Sequence, residues 1–154
     1  EGVFRGETLN TPSMLCVEDY LDVLKWVDSI GGYKGTIERA NNNFTIIKDW
    51  VDQSDWLTFL CDDDTNLSNT SVCLKFSNEL SEISEDDQRG FAKSIGKTLV
   101  DEEVAFDIVN HRSAPPGLRI WAGATVESED ILRLLPWIDW AHQKLVNKTG
   151  DKNA

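Results

Sequence analysis

The sequence predicts an α+β domain, in which a small antiparallel sheet of about four strands packs helices on one face. Apolar residues recur at helical spacing in four stretches and alternate with polar residues in four short ones, and the connections between these stretches are short. Short connections and half-apolar strands favour antiparallel pairing, because parallel neighbours need long crossovers. At 154 residues the chain is long enough to bury a core.

The first helix is predicted to begin at residues 10–12 and to end at two glycines. Thr11 can cap it through its side-chain oxygen, and Pro12 suits the first helical position, where a missing N–H costs nothing. Gly31 and Gly32 stop the helix. Its apolar stripe comprises Val17, Leu21, Leu24, Val27 and Ile30.

Two further helices and two strands come next in the prediction. The helices are expected over residues 33–51 and 84–103, where apolar positions keep the helical period. The strands are expected over residues 56–61 and 70–76. Between the strands, residues 62–69 form a polar loop with three consecutive aspartates. The EF-hand spacing and its glycine are absent there, so this loop is not predicted to bind calcium.

Two more strands and a last helix complete the prediction. Alternation in residues 104–108 indicates a third strand, and alternation in residues 118–121 indicates a fourth. The last helix begins at Ser128 and contains Pro136, which lacks a backbone donor. We therefore expect this helix to be kinked or split in two at the proline.

Composition argues against several classes of function. The net charge is −12 and there is no basic stripe, which argues against a nucleic-acid surface. No apolar run approaches the ~20 residues of a membrane span, and no signal-peptide pattern opens the chain, so we expect no membrane association and a cytoplasmic protein. The three cysteines and two histidines lack metal-ligand spacing. We expect buried, reduced thiols and no metal site.

Positive charge is concentrated in residues 111–121. No Asp or Glu occurs in residues 108–126, although the average density would place roughly three in such a window. The window contains His111, Arg112 and Arg119. Strand alternation places Arg119 away from the apolar face, where its guanidinium suits bidentate capture of a carboxylate or phosphate. The alternative is that it is a sheet arginine paired with a nearby aspartate.

The start of the first helix is a second candidate anion site. Helix N-termini carry unpaired N–H groups and a positive dipole, so the corner at Asn10 and Thr11 can hold a phosphate. The alternative is that these residues only cap the helix.

Several motifs together resemble the phosphoserine aminotransferase family. They are GETLNTPSML with VEDYLDVLKWV near the start, SNTSVCLKF in the middle, and HRSAPPGLRIWAGATVE with LLPWIDWA toward the end. The resemblance covers nearly the whole chain and points to the C-terminal part of the family's proteins. Within this family, the sequence resembles the branch that carries PPGLRIW where the enterobacterial enzymes carry a glycine-rich turn. It implies the aspartate-aminotransferase fold, with residues 1–32 as the end of the large domain and the interdomain helix, and residues 33–154 as the small C-terminal domain.

The resemblance also implies an activity, a cofactor and partners. Members of the family are homodimers that use pyridoxal 5′-phosphate to transfer an amino group between glutamate and 3-phosphohydroxypyruvate in L-serine biosynthesis. Asn10 and Thr11 match the pair that contacts the cofactor phosphate of the other subunit. Arg119 matches the arginine that holds the substrate α-carboxylate, and His111 with Arg112 match the pair near the distal phosphate or γ-carboxylate. The implied partners are thus a second subunit and the small anions glutamate and phosphoserine.

The chain departs from the family pattern in one respect. In the family, the lysine that forms the Schiff base lies upstream of the motif that matches Asn10, Thr11 and Pro12. None of the lysines in this sequence stands in the family's lysine motif. No catalytic residue is therefore assigned, and this segment alone is predicted to be inactive.

Two alternatives to this function stay open. One is another aminotransferase of the same fold that acts on an unphosphorylated substrate, and the other is a non-catalytic α+β module that binds a small anion.

Overall fold

The computed structural model describes residues 2–8 and 10–150, without the side chains of residues 3 and 148–150. The chain divides into two compact units, Glu1–Glu38 and Arg39–Ala154. The domain boundary implied by the family resemblance, after residue 32, stays a prediction.

The order of elements follows the prediction for most of the chain, with two additional short 3-10 helices at Gly2–Arg5 and Asp64–Asn66. The other elements are α1 (Met14–Ser29), α2 (Gly32–Asp52), β1 (Leu57–Phe59), β2 (Ser71–Phe76), α3 (Glu79–Glu82), α4 (Glu85–Asp101), β3 (Leu118–Trp121) and α5 (Ser128–Gly150). The four long helices agree with their predicted positions to within a few residues, whereas the one-turn helix α3 was not predicted.

Helix α1, in the first unit, begins later than predicted. Ser13 is its N-cap, and the side-chain oxygen of Ser13 accepts a hydrogen bond from the N–H of Cys16 at 3.5 Å. The prediction that Thr11 caps the helix is therefore wrong, because a second hydroxyl residue stands two positions further along. The predicted end is confirmed. Gly31 and Gly32 have φ of +99° and +66°, the left-handed backbone that glycine adopts without strain.

The sheet of the second unit is antiparallel, with β2 in the centre between β1 and β3. Phe76 pairs with Leu57, and Cys73 pairs with Arg119. In both β2 and β3, every second side chain is buried, so one face of the sheet packs against the core. Arg119 lies on the other face, as the alternation predicted.

The sheet has three strands over the part of the chain that the structure describes, where about four were predicted. Residues 104–108 are not a strand; the only pairing nearby is an isolated bridge between Val109 and Leu118. Glu103 has a φ of +58°, so the chain turns sharply after α4. Phe106 is 74% exposed, which shows that its apolar character does not serve the core.

The core of the second unit lies between the sheet and the helices α2, α4 and α5. Helix α5 continues through Pro136 and is not split in two. Pro136 is exposed, whereas its neighbours Leu135 and Ile138 are buried, so packing offsets the lost backbone bond. The buried helix residues of the core are Ile47, Val51, Ala92, Ile95, Leu99, Ile131, Leu135, Ile138 and Ala141.

A buried polar residue, Asn43, joins α2 to the beginning of α5 and to the loop before it. Its Nδ2 donates to the carbonyl of Val126 at 2.9 Å, and its Oδ1 accepts from the hydroxyl of Ser128 at 2.7 Å. Asn43 is fully buried, so these bonds form away from water, where leaving them unmade is costly.

The thiols differ from the expectation. Cys61 and Cys73 are free and half-buried, and Cys16 is free and exposed, so the prediction of buried thiols is wrong. Within residues 2–8 and 10–150, no helix is long and apolar enough to cross a membrane. The same residues contain no group of three or more His, Cys, Asp or Glu side chains placed to hold a metal ion.

Candidate functional site

The turn that carries His111 and Arg112 is anchored to the sheet by Asn110. The Nδ2 of Asn110 donates to the carbonyls of Leu74 at 3.2 Å and Pro115 at 3.1 Å. Its backbone N–H donates to the carbonyl of Gly117 at 3.1 Å. Asn110 is only 9% exposed, so breaking this network would leave buried polar groups unpaired. The turn is therefore held firmly against β2.

Gly117 closes the turn, and no other residue fits there. Its φ is +149°, and a Cβ at this position would lie 2.0 Å from the carbonyl oxygen of Leu74 and 3.0 Å from Nδ2 of Asn110. A contact of 2.0 Å to backbone cannot be relieved by a side-chain rotation. The glycine after the two prolines thus lets the turn lie directly on the sheet.

His111 and Arg112 are both exposed on this turn. The Nδ1 of His111 accepts the N–H of Ser113 at 3.2 Å, which leaves Nε2 of the imidazole for a ligand. The carbonyl of Arg112 accepts from Nη1 of Arg89 at 3.3 Å. Helix α4 therefore contacts the turn through an arginine that lies outside the acid-free window of the sequence.

Arg119 is held in β3 with its side chain about one-third exposed. Its Nη2 lies 2.7 Å from Oδ2 of Asp107, the residue immediately before the acid-free window. The structure thus contains the aspartate pairing that the sequence left open as an alternative. A guanidinium has five N–H donors, and this contact occupies one nitrogen, so further donors are free for a second carboxylate.

Arg112 lines a pocket of about 270 Å³ together with Arg89 and Lys93 of α4. We call it the cationic pocket. His111 and Arg119 are not among its lining residues. The other lining residues are Ala92, Val109, Asn110, Pro116 and Gly117. A spacing of four along α4 places Arg89 and Lys93 on one side of that helix, and this was the signal available in the sequence.

Asn10 and Thr11 lie in the first unit, immediately before the cap of α1, and both are exposed. Ser13 caps the helix, so the hydroxyl of Thr11 is not used for capping. Neither side chain has a hydrogen-bond partner among the described residues. An amide N–H and a hydroxyl are both able to donate to a phosphate oxygen.

A second pocket, of about 440 Å³, lies beside Trp50, Trp56, Asp139 and His142. We call it the indole pocket. Asp139 accepts from Nε1 of Trp50 at 2.8 Å and from Nε1 of Trp56 at 3.2 Å. The His142 ring stacks on Trp56 with 4.0 Å between centroids and 8° between planes. Burial lowers the pKa of His142, and this outweighs the opposing effects of Asp55 and Asp139.

Comparison with known proteins gives a consistent result. No protein-family model matches the chain. Over 140 residues it is 45% identical to phosphoserine aminotransferase of Methanosarcina barkeri and 44% identical to that of Methanosarcina mazei. The chain matches a segment of the phosphoserine aminotransferases. Each of these matches takes in 91% of this chain and 35% of the relative, so the chain spans about a third of the relatives' length.

Solved phosphoserine aminotransferases have the same fold over this segment. The enzyme from Bacillus circulans subsp. alkalophilus superposes with a TM-score of 0.72 at 22% identity, covering 88% of this chain and 34% of that one. A phosphoserine aminotransferase solved for radiation damage of its Schiff base gives a TM-score of 0.71 at 18% identity, with the same two coverages. The predicted α+β class is confirmed, with three strands in place of about four.

Proposed function

We propose that this chain is the C-terminal part of a homodimeric, pyridoxal-phosphate-dependent phosphoserine aminotransferase. The enzyme transfers an amino group between glutamate and 3-phosphohydroxypyruvate in L-serine biosynthesis, in the cytoplasm. The observation that carries the proposal is 45% identity over 140 residues to a relative of that name. None of the lysines in this sequence stands in the family's Schiff-base motif, so this segment supplies ligand contacts and not the covalent step.

Arg119 holds the α-carboxylate of the substrate in this proposal. Its position in β3 limits the movement of the backbone, and Asp107 at 2.7 Å orients the guanidinium through Nη2. The other guanidinium nitrogens then form charge-assisted hydrogen bonds with the carboxylate, which are stronger than neutral ones. Asp107 is a positioning residue in this arrangement, because it acts through Arg119.

His111 and Arg112 bind the distal anion, which is the phosphate of phosphoserine or the γ-carboxylate of glutamate. The support is that both side chains are exposed on a turn held by Asn110 and Gly117. A donor from imidazole Nε2 and a guanidinium without an acidic partner among the described residues suit an anion of either kind. A rigid turn lowers the entropy lost when the ligand binds.

Asn10 and Thr11 contact the cofactor phosphate in the other subunit of the dimer. Their chemistry fits this role, since both are exposed donors without partners among the described residues, next to a helix N-terminus. Pyridoxal phosphate, when bound, supplies the electron sink for amino transfer. The contribution of this chain is to hold the phosphate group, with two donors and the positive end of α1.

The proposal is tested by replacing Arg119 in the protein expressed from its full natural gene. We expect Arg119→Ala to lower kcat/KM for both glutamate and phosphoserine by roughly 100-fold, because a charge-assisted contact to the substrate is lost. Arg133→Ala is the matched control. Arg133 is an exposed arginine that pairs with Glu129 four residues earlier, and its loss should leave the kinetics unchanged.

Three results would count against the proposal. Unchanged kinetics of Arg119→Ala would remove Arg119 from the site. Activity toward serine and glyoxylate with no response to phosphoserine would select an aminotransferase of the same fold with an unphosphorylated substrate. A full-length product with no visible cofactor absorption band would favour the non-catalytic anion-binding module.

A further inference from the structure

The cationic pocket has the features of a binding site for a phosphate group. We propose that Lys93 and Arg89 of α4 bind this group together with Arg112, so that one side of the site comes from a helix that no sequence motif implicates. The occupant is either the phosphate of a phosphomonoester or free phosphate. The assignment of this phosphate group to phosphoserine rests on the proposed function. The inference that the pocket binds a phosphate group does not depend on it.

The pattern of ion pairs in the second unit carries this inference. Eight of the ten lysine and arginine side chains described between residues 39 and 147 form an ion pair with a carboxylate. The two exceptions in that part of the chain are Lys93 and Arg112, and both line the cationic pocket. Carboxylates outnumber cations in this sequence, with 27 Asp and Glu against 15 Lys and Arg, so a cation without an acidic partner is the exception. Cations that line one pocket without an acidic partner form a region of positive potential that attracts an anion.

The third cation, Arg89, links the two sides of the pocket. Its Nη1 donates to the carbonyl of Arg112 at 3.3 Å, while its Nη2 is 3.8 Å from Oε2 of Glu85, close to the limit for an ion pair. Arg89 and Lys93 are four residues apart on α4, and like charges at this spacing repel each other. A bound anion between them and Arg112 would convert this repulsion into attraction.

The lining of the pocket selects for a small, strongly charged ligand. No carboxylate is found among the described residues that line it, and the rest of the surface is apolar or backbone in character, apart from Asn110. Its volume of about 270 Å³ lies just below the ~300–1,000 Å³ of pockets for drug-sized ligands. A phosphomonoester carries about −1.5 to −2 charges near neutral pH, which suits three cations better than a single carboxylate does.

Titration of the 154-residue chain with inorganic phosphate at low salt tests the proposal. Backbone amide NMR shifts should saturate, with the largest changes in residues 89–97 and 110–117. We expect Lys93→Gln and Arg112→Gln each to weaken the affinity by about tenfold or more, because each removes a charge-assisted hydrogen bond. The matched control is Lys97→Gln. Lys97 lies one turn further along α4, is paired with Asp101 at 2.7 Å, and should change the affinity by less than about twofold.

Titration with phosphoserine and with serine identifies the source of the phosphate. If phosphoserine binds, serine does not, and Lys93→Gln raises the KM for phosphoserine in the full natural gene product, the occupant is the substrate. If Lys93→Gln abolishes phosphate binding but leaves this KM unchanged, the occupant is free phosphate. Both outcomes support the site.

The proposal is overturned if phosphate does not saturate the shifts at millimolar concentrations, or if Lys93→Gln binds phosphate as tightly as the unaltered chain. Far-UV circular dichroism identifies any variant that fails to fold, and the charge-reversing Lys93→Glu then provides an independent test. A natural gene product without transaminase activity, but with phosphate binding that depends on Lys93, would contradict the proposed function and leave this inference standing.

Discussion

The indole pocket and the cationic pocket differ in whether their charged groups have partners within the protein. In the indole pocket, Asp139 accepts a hydrogen bond from each of two indoles and joins α5 to Trp50 and Trp56. In the cationic pocket, Lys93 and Arg112 have no acidic partner in the part of the chain that the structure describes. A carboxylate whose two oxygens accept hydrogen bonds within the protein stabilises the fold, whereas cations that line a pocket without such a partner are available to a ligand. The two pockets therefore differ more in the partners of their charged groups than in volume, and this difference favours the cationic pocket as the ligand site.

The stability of the protein should be far more sensitive to substitution of Gly117, which lines the cationic pocket, than to substitution of the charged residues of that pocket. We expect Gly117→Ala to lower the free energy of unfolding by about 4 kcal/mol or more, because the added Cβ would lie 2.0 Å from the Leu74 carbonyl oxygen. Gly90→Ala in α4 is the control, since a Cβ there meets nothing within 4 Å. It should stabilise the protein by about 0.5–1 kcal/mol through helix propensity. Urea denaturation of both variants measures the difference.

Loss of the carboxylate in the indole pocket should have the next largest effect. Asp139→Ala removes the acceptor of two indole N–H groups, one of which belongs to the buried Trp56. We expect the free energy of unfolding to fall by about 3 kcal/mol in urea denaturation. Glu129→Ala, which removes an exposed carboxylate from the same helix, should change it by less than about 0.5 kcal/mol. Similar losses in both variants would contradict a structural role for Asp139.

The stacked imidazole of the indole pocket should make stability depend on pH. Burial lowers the pKa of His142 in the folded state, so the unfolded chain binds the proton first as pH falls below about 6.5. The contribution of His142 to stability is therefore complete above pH 6.5. It is lost progressively until the pH passes below the lowered pKa, and changes no further beyond that. Urea denaturation from pH 8 to pH 5 should show this loss in the unaltered chain and not in His142→Gln. Parallel curves for the two proteins would contradict it.

The unpaired cations should have the smallest effect on stability. We expect Lys93→Gln and Arg112→Gln each to change the free energy of unfolding by less than about 0.5 kcal/mol, because both side chains are exposed and have no side-chain partner within the described part of the chain. Urea denaturation in buffers without phosphate measures this. A loss comparable with that of Asp139→Ala would mean that the two pockets do not differ as described.

The helices were predictable because their signals are local. Periodic apolar positions, the two glycines after α1 and the acids at the start of α4 all lie within a few residues of the structure that they specify. The N-cap of α1 was misplaced because Thr11 and Ser13 are chemically alike, and the sequence contains no local signal that separates them. Residues 104–108 alternate like a strand, but pairing requires a partner strand of matching length, which only the tertiary fold determines.

The candidate site was predictable in part for the same reason. The acid-free window and Arg119 stand out along the sequence, and strand alternation correctly placed Arg119 away from the core. Asp107 lies one residue outside the window, and only the structure shows that it pairs with Arg119. Lys93 stands 19 positions before Arg112 on a different element, so their shared pocket could not be seen from spacing.

The hydrogen bonds of Asn43 have a consequence for the order of assembly. The partners of Asn43, the residues Val126 and Ser128, lie 83 and 85 positions further along the chain. During synthesis at ~5–20 residues per second, these partners emerge about 4–17 s after Asn43 itself. Until then the side-chain amide of Asn43 lacks both of these partners, which it has in the folded structure. We therefore expect helix α2 to form early and to complete its docking late, once Val126 and Ser128 are available to Asn43.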